Sequence, residues 1–327
     1  MFINTNSSFV YGNNNYLDKK SIYTSHPYTN WSLNPGFEYN NKREHTDEGF
    51  RKVLDYNSLK YQLNQFRDSK KIYCMGGSST YCTELYSFEK TWPSKLQKEL
   101  NINKYLIINA GVGGWSTLQS LIRFIGWATI IKPEIIIIYQ SKNDLTPFYN
   151  GRSNQKNILP LLENITLQFS EAMIENKKNL PKKLLKNKRY KDFIKYLLYK
   201  KFRNELGLVY SSEKSVNEEG LKRYNDEFLN STVLRYEIIT KIANDFQGKV
   251  LYIPEIINQK SVYFQYMQNI HNKTKDLIKK YNNFYFFDIE NTIPMNEKYF
   301  LDNKMHFSEE GSIIFSKVLI NQINKLI

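Results

Sequence analysis

Lys71-Ile72-Tyr73-Cys74-Met75-Gly76-Gly77-Ser78-Ser79-Thr80 is a short apolar run that stops at two glycines and delivers two serines and a threonine just beyond them. An apolar run of this length bounded by glycine reads as a buried strand. Glycine lets the backbone turn sharply out of it. The pattern recurs downstream. Residues 105–109 form a second apolar run, followed by Ala110-Gly111-Val112-Gly113-Gly114, and residues 134–139 form a third, followed after three residues by Asn143-Asp144. The third run, Glu134-Ile135-Ile136-Ile137-Ile138-Tyr139, is apolar on both faces, as at the centre of a parallel sheet.

Helical segments separate these runs. Residues 92–100 read as a helix with Pro93 in the first turn. In residues 117–131, Leu118, Leu121, Ile122, Ile125 and Ala128 follow a helical period, and Pro133 ends the segment. Residues 250–253 and 284–287 supply two further strands, with helices over about 218–246 and 265–281. A final amphipathic helix opens at Ser308, a candidate N-cap. Alternating strands and helices predict a three-layer α/β/α domain of flavodoxin-like type with about five parallel strands. Residues 1–70 are expected to form an irregular arm packed on the core, and residues 71–327 the domain proper, with a helical insertion at about 147–220 where the alternation lapses.

At 327 residues, 41% hydrophobic and 15% aromatic, the chain has the size and composition of a globular domain with a substantial core. Its formal charge of +14 is concentrated: between Lys177 and Arg203 stand 12 basic residues and one acidic, Asp192, while the remainder is close to neutral. A nucleic-acid binder would spread its basic surface more widely, and no nucleic-acid motif accompanies this block. Leu184, Leu185, Phe193, Ile194, Leu197, Leu198 and Phe202 recur through it at roughly helical spacing, so it reads as a basic amphipathic helix pair. Such a pair could be a solvated cover, a lid, or a contact for a membrane surface or another anionic partner. The two cysteines, Cys74 and Cys82, lack metal-ligand spacing and are expected as reduced thiols. The polar N-terminus and the absence of a long apolar run suggest a cytoplasmic protein.

The segments around Ser78, Gly114, Asn143 and His306, in this order and spacing, resemble the consensus blocks of the SGNH or GDSL-type hydrolase superfamily, in its bacterial Gly-Gly-Ser variant. His45-Thr46-Asp47-Glu48-Gly49-Phe50-Arg51 is similar to the stretch that precedes the first block in many bacterial members. The resemblance covers roughly residues 45–145 and 300–320 and leaves the middle of the chain uncovered. It implies that Ser78 is a nucleophile and that the Ser78 amide, the Gly114 amide and the Asn143 carboxamide form an oxyanion hole. His306 would be the base and Asp302 its orienting carboxylate. A serine hydroxyl needs such a base, together with donors for the charge that develops on the carbonyl oxygen. An imidazole suits the task near neutral pH.

Several positions depart from the family pattern. The orienting Asp usually stands three residues before the His, where this chain has Asn303; Asp302 is four before. Either a local bulge lets Asp302 reach His306, or Asn303 takes the orienting position. Gly77 stands where the signature often has Asp, Ser141 where a glycine often precedes the Asn, and Cys82 where glycine is frequent. Ser79 is a competing hydroxyl beside Ser78.

The resemblance implies a serine ester hydrolase that removes a small acyl or acetyl group through an acyl-enzyme, with acylated carbohydrates among its substrates and with neither metal nor cofactor. Transfer of the acyl group to a sugar would use the same residues. The reading from another class is a non-catalytic binding or assembly protein that keeps the fold and engages an anionic partner. The two differ in geometry, because only the enzyme needs His306 within reach of Ser78 with a carboxylate behind it.

Overall fold

The computed structural model describes residues 22–26, 28–145, 221, 224–289, 292–301 and 305–326. The expected insertion at 147–220, the basic stretch within it, and both Asp302 and Asn303 lie outside the described residues.

Ahead of the sheet come two small antiparallel hairpins, β1 (Tyr23–His26) with β2 (Asn30–Leu33) and β3 (Glu38–Tyr39) with β4 (Lys42–Arg43), then helix α1 (Leu59–Gln65). The arm is therefore more regular than its Asn-rich composition suggested. Asn40 and Asn41 both adopt positive φ, 49° and 61°, and so make the two-residue turn that joins β3 to β4. Asparagine tolerates this left-handed region better than other non-glycine residues, which is why such turns select it.

The core elements follow in the order β5 (Lys70–Gly76), α2 (Ser78–Tyr81), α3 (Trp92–Glu99), β6 (Tyr105–Asn109), α4 (Thr117–Ile131) and β7 (Ile135–Tyr139). Beyond residue 224 come α5 (Asp226–Asp245), β8 (Lys249–Tyr252), α6 (Phe264–Lys275), β9 (Phe284–Phe286) and α7 (Glu309–Leu326). Helix α5 begins later than the expected residue 218, because the Asn225 side chain accepts from the Phe228 amide and caps the helix there. The helix expected to reach residue 281 gives way after Lys275 to a 3₁₀ turn, Asp276–Lys279.

All five core strands run parallel in the order β6-β5-β7-β8-β9. In chain order this is 2-1-3-4-5, the flavodoxin-like arrangement, in which the connections reverse direction across β5 and open a crevice at the carboxyl ends of the strands. Side chains alternate between two apolar layers. Tyr73, Met75, Ile136 and Ile138 pack with Phe124, Tyr236 and Ile270 of α4, α5 and α6. Ile72, Cys74, Ile135, Ile137 and Tyr139 pack on the other face with Trp92 and Leu96 of α3 and with Phe315 and Leu319 of α7. Both cysteines are free and buried, and burial pushes the Cys82 thiol up to about 12. Among the described residues no helix is long and apolar enough to cross a membrane.

Candidate active site

The register places the carboxyl ends of β5, β6 and β7 side by side, with Cys74 opposite Asn109 and Gly76 opposite Tyr139. The three loops beyond them meet over the crevice. At Gly76 the chain has no room for a side chain, because a Cβ would overlap Thr80 and the Tyr139 carbonyl. Ser78 is the first residue of α2, and its carbonyl accepts from the amides of Cys82 and Thr83. Cys82 has φ 60°, a left-handed conformation that glycine adopts more readily.

His306 comes from the far end of the chain. Its Nε2 lies 2.8 Å from Ser78 Oγ, across 228 residues of sequence. Two bridges hold the histidine segment: Phe300 pairs with Phe307, and the Leu301 amide donates to the His306 carbonyl at 2.8 Å. Ser308 then caps α7, its hydroxyl accepting from the Gly311 amide at 3.0 Å and donating to the Lys298 carbonyl at 2.6 Å. On the other edge of the ring, Nδ1 is 3.2 Å from Oε1 of Glu84, with side-chain exposures of only 16% and 20%.

The other two loops carry Gly114 and Asn143, the donors expected from the sequence. Gly114 adopts φ +79° and packs against the Trp31 indole, whose N–H donates to the Gly113 carbonyl at 3.1 Å. The Asn143 carboxamide N–H donates to the Trp115 carbonyl at 3.0 Å. It lies so close to Gly77 that a Cβ there would overlap Asn143 Nδ2. Glycine at 77 thus leaves room for the carboxamide.

A buried carboxylate joins the Ser78 loop to the Asn143 loop. Glu255, just past the end of β8, accepts from the Ser79 hydroxyl at 2.7 Å and from the amides of Ser141 and Lys142, each at 2.9 Å. The Ser79 hydroxyl is therefore buried and committed to Glu255, whereas the Ser78 hydroxyl meets His306. Nearby, Asp144 accepts from the Thr117 hydroxyl at 2.6 Å and pairs with Arg235 at 3.1 Å, tying β7 to α4 and α5. Burial raises the Asp144 carboxyl above its ordinary range, against the lowering pull of Arg235.

The other histidines do not enter the site. His45 is fully buried between the Asn34 carbonyl, 2.8 Å from Nδ1, and the Tyr81 hydroxyl, 2.9 Å from Nε2. Desolvation lowers it to about 3, so the neutral ring donates from Nδ1 and accepts at Nε2. His271 sits 2.9 Å from the Ser141 hydroxyl and is likewise lowered to about 3 by burial. His26 contacts Thr29, and burial lowers it to about 4.

Residues 45–51 brace the site from outside. Glu48 accepts from the amides of Leu59 and Lys60 and from the Ser58 hydroxyl at the start of α1, at 2.7, 3.1 and 2.8 Å. The Arg51 guanidinium lies over the Tyr81 ring at 4.3 Å and donates to the Leu85 carbonyl. Neither Glu84 nor Glu255 was singled out in the sequence. A carboxylate just beyond a central parallel strand was a usable signal for Glu255, because that is where such sheets build their sites; nothing comparable marked Glu84. Among the described residues no group of three His, Cys, Asp or Glu side chains converges as a metal site would require.

No protein-family model matches the chain, and no curated protein matches it. Solved structures with a similar fold include a GDSL-like lipase from Bacteroides thetaiotaomicron, at 13% identity over 82% of this chain and 98% of that chain, with a TM-score of 0.45. The acetyl xylan esterase AlAXEase aligns at 12% identity over 77% of this chain and 99% of its own, with a TM-score of 0.47. A catalytic mutant of Axe2, an acetylxylan esterase from Geobacillus stearothermophilus, aligns at 12% identity over 78% and 94%, with a TM-score of 0.46.

Proposed function

We propose that this chain is a serine ester hydrolase acting on a small acyl or acetyl ester through an acyl-enzyme. The observation that carries the proposal is the 2.8 Å contact between His306 Nε2 and Ser78 Oγ, made by residues from opposite ends of the domain. A hydroxyl paired with an imidazole at the mouth of a parallel sheet, beside backbone and carboxamide donors, is equipped for acyl transfer.

In the first half-reaction Ser78 Oγ attacks the ester carbonyl carbon while its proton passes to His306 Nε2. The carbonyl π electrons move onto oxygen, and that oxyanion is met by the amides of Ser78 and Gly114 and the carboxamide of Asn143. The intermediate collapses as its C–O bond to the leaving group breaks, and the imidazolium returns its proton to the departing alkoxide. Water then attacks acyl-Ser78 with His306 again as base, releasing the acid and restoring the hydroxyl. A sugar hydroxyl in place of water would give acyl transfer by the same steps. The sequence resemblance favours an acylated carbohydrate as the substrate. A binding protein on the same fold has no need of the Ser78–His306 contact, so the catalytic reading is preferred.

The test is hydrolysis of p-nitrophenyl acetate, with a fluorophosphonate label mapped by mass spectrometry. The wild type should turn over and carry the label on Ser78, while Ser78→Ala should lose activity by a factor on the order of 10⁴ or more and remain unlabelled. Equal rates for the two proteins would remove the proposal.

A further inference from the structure

We propose that Glu84 is the carboxylate that positions His306, in the place the sequence resemblance gives to Asp302 or Asn303. The inference rests on the reading of Ser78 and His306 as nucleophile and base. Glu84 Oε1 lies at ion-pair distance, 3.2 Å, from Nδ1 of the imidazole whose Nε2 is 2.8 Å from Ser78 Oγ, so the ring stands between the carboxylate and the hydroxyl. A carboxylate there keeps the proton on Nδ1, leaves the Nε2 lone pair facing the hydroxyl, and stabilises the imidazolium once the proton has moved. Asn303, by comparison, has no charge to offer.

The fold holds Glu84 in place on both sides. Its loop leaves α2 through the left-handed Cys82, whose amide, like that of Thr83, donates to the Ser78 carbonyl; the Leu85 amide closes the turn onto the Cys82 carbonyl at 3.1 Å. Arg51 grips the Leu85 carbonyl, and Glu44 accepts from the Phe88 amide at 2.6 Å. Arg51 and Glu44 are themselves buried and 3.6 Å apart, a clamp on the loop that carries Glu84. Ser78 and Glu84 therefore move as one short unit, and only the imidazole comes from elsewhere. This also gives a purpose to the buried charges of the arm, which otherwise cost desolvation energy without reaching the site.

Besides facing His306, Glu84 acts on Tyr23 of the arm and on Cys82 of its own loop. Burial raises both and keeps them protonated near neutral pH.

The chain has four histidines, so ¹⁵N-histidine NMR can follow His306 in the intact protein without any reliance on turnover. In Glu84→Gln the His306 pKa should fall by about one unit or more, because the imidazolium loses its anionic neighbour. The kcat/KM for p-nitrophenyl acetate should fall by a factor on the order of 10² to 10⁴, with its acidic limb moved to lower pH. Glu84→Asp keeps a charge beside the ring and should leave the limb near its wild-type position; Asp302→Asn should change neither readout by more than about threefold or a few tenths of a pH unit. An unmoved His306 titration in a folded Glu84→Gln protein, or the larger loss and shift appearing in Asp302→Asn, would overturn the inference. Failure of the fluorophosphonate to label Ser78 would instead strike the proposed function, so the two outcomes are separable.

Discussion

Removing the Glu255 carboxylate should unfasten two walls of the site at once. Glu255 is 4% exposed and accepts three hydrogen bonds of 2.7 to 2.9 Å, from the Ser79 hydroxyl and the amides of Ser141 and Lys142. In Glu255→Ala the Ser79 and Ser141 donors stay buried without an acceptor, while the Lys142 amide, on a half-buried residue, finds water more easily. At roughly 1–3 kcal/mol for each stranded donor, plus the void left by the side chain, the loss should be about 4 kcal/mol. That is a large share of the ~5–15 kcal/mol that holds a typical domain together. Glu255→Gln keeps one oxygen for the two amides and can turn its own amide toward the Ser79 hydroxyl oxygen, so it forfeits mainly the charge assistance, about 1–2 kcal/mol. Urea denaturation followed by fluorescence would measure both. Because Asn143 directly follows Lys142, the alanine variant should also lose on the order of 10- to 100-fold in kcat as its donor drifts. Glu255→Ala within 1 kcal/mol of wild type, or indistinguishable from Glu255→Gln, would refute the assignment of Glu255 as the fastener.

Gly77→Ala places a Cβ where Asn143 Nδ2 now lies. The carboxamide must swing off the Trp115 carbonyl, so kcat for p-nitrophenyl acetate should drop by a factor on the order of 10² to 10³ with little change in KM; full activity would show that Asn143 takes no part. Acid should destabilise the fold through His45 and His271, both lowered to about 3 by burial. The unfolded chain takes up those protons near pH 6.5 while the folded protein refuses them, so their stabilisation is intact above that value and is lost as pH falls towards 3, at about 1.4 kcal/mol per pH unit for each histidine. His26, lowered to about 4, acts in the same sense, while the raised carboxyls of Glu44 and Asp144 oppose it at more acidic pH. Urea midpoints at pH 7 and pH 5 should therefore differ strongly. His271→Gln should flatten the dependence by about one proton, and an unchanged slope would contradict the burial of a neutral ring.

The strands, their parallel order and the clustering of loops at one end of the sheet were legible in the sequence, because they depend on short-range features. A run such as Ile135 to Tyr139 has few places to go except the middle of a sheet, and glycines immediately after apolar runs mark where the backbone must turn. Ser78 and His306 were likewise visible as residue types in telling local settings. The tertiary structure decided which neighbours those groups keep. Ser79 and Ser78 are adjacent and chemically identical, yet one hydroxyl faces Glu255 and the other His306, since successive residues at a helix start point in different directions. His45, visible in the sequence only as part of the stretch ahead of the first block, ties Asn34 of the arm to Tyr81. Glu84 faces the imidazole because a left-handed turn at Cys82 and a clamp at Leu85 and Phe88 fold its loop back. Periodicity records how each residue divides between core and solvent along one element, whereas a contact a few ångströms long between separate segments depends on the path of the loops between them, which no local pattern encodes.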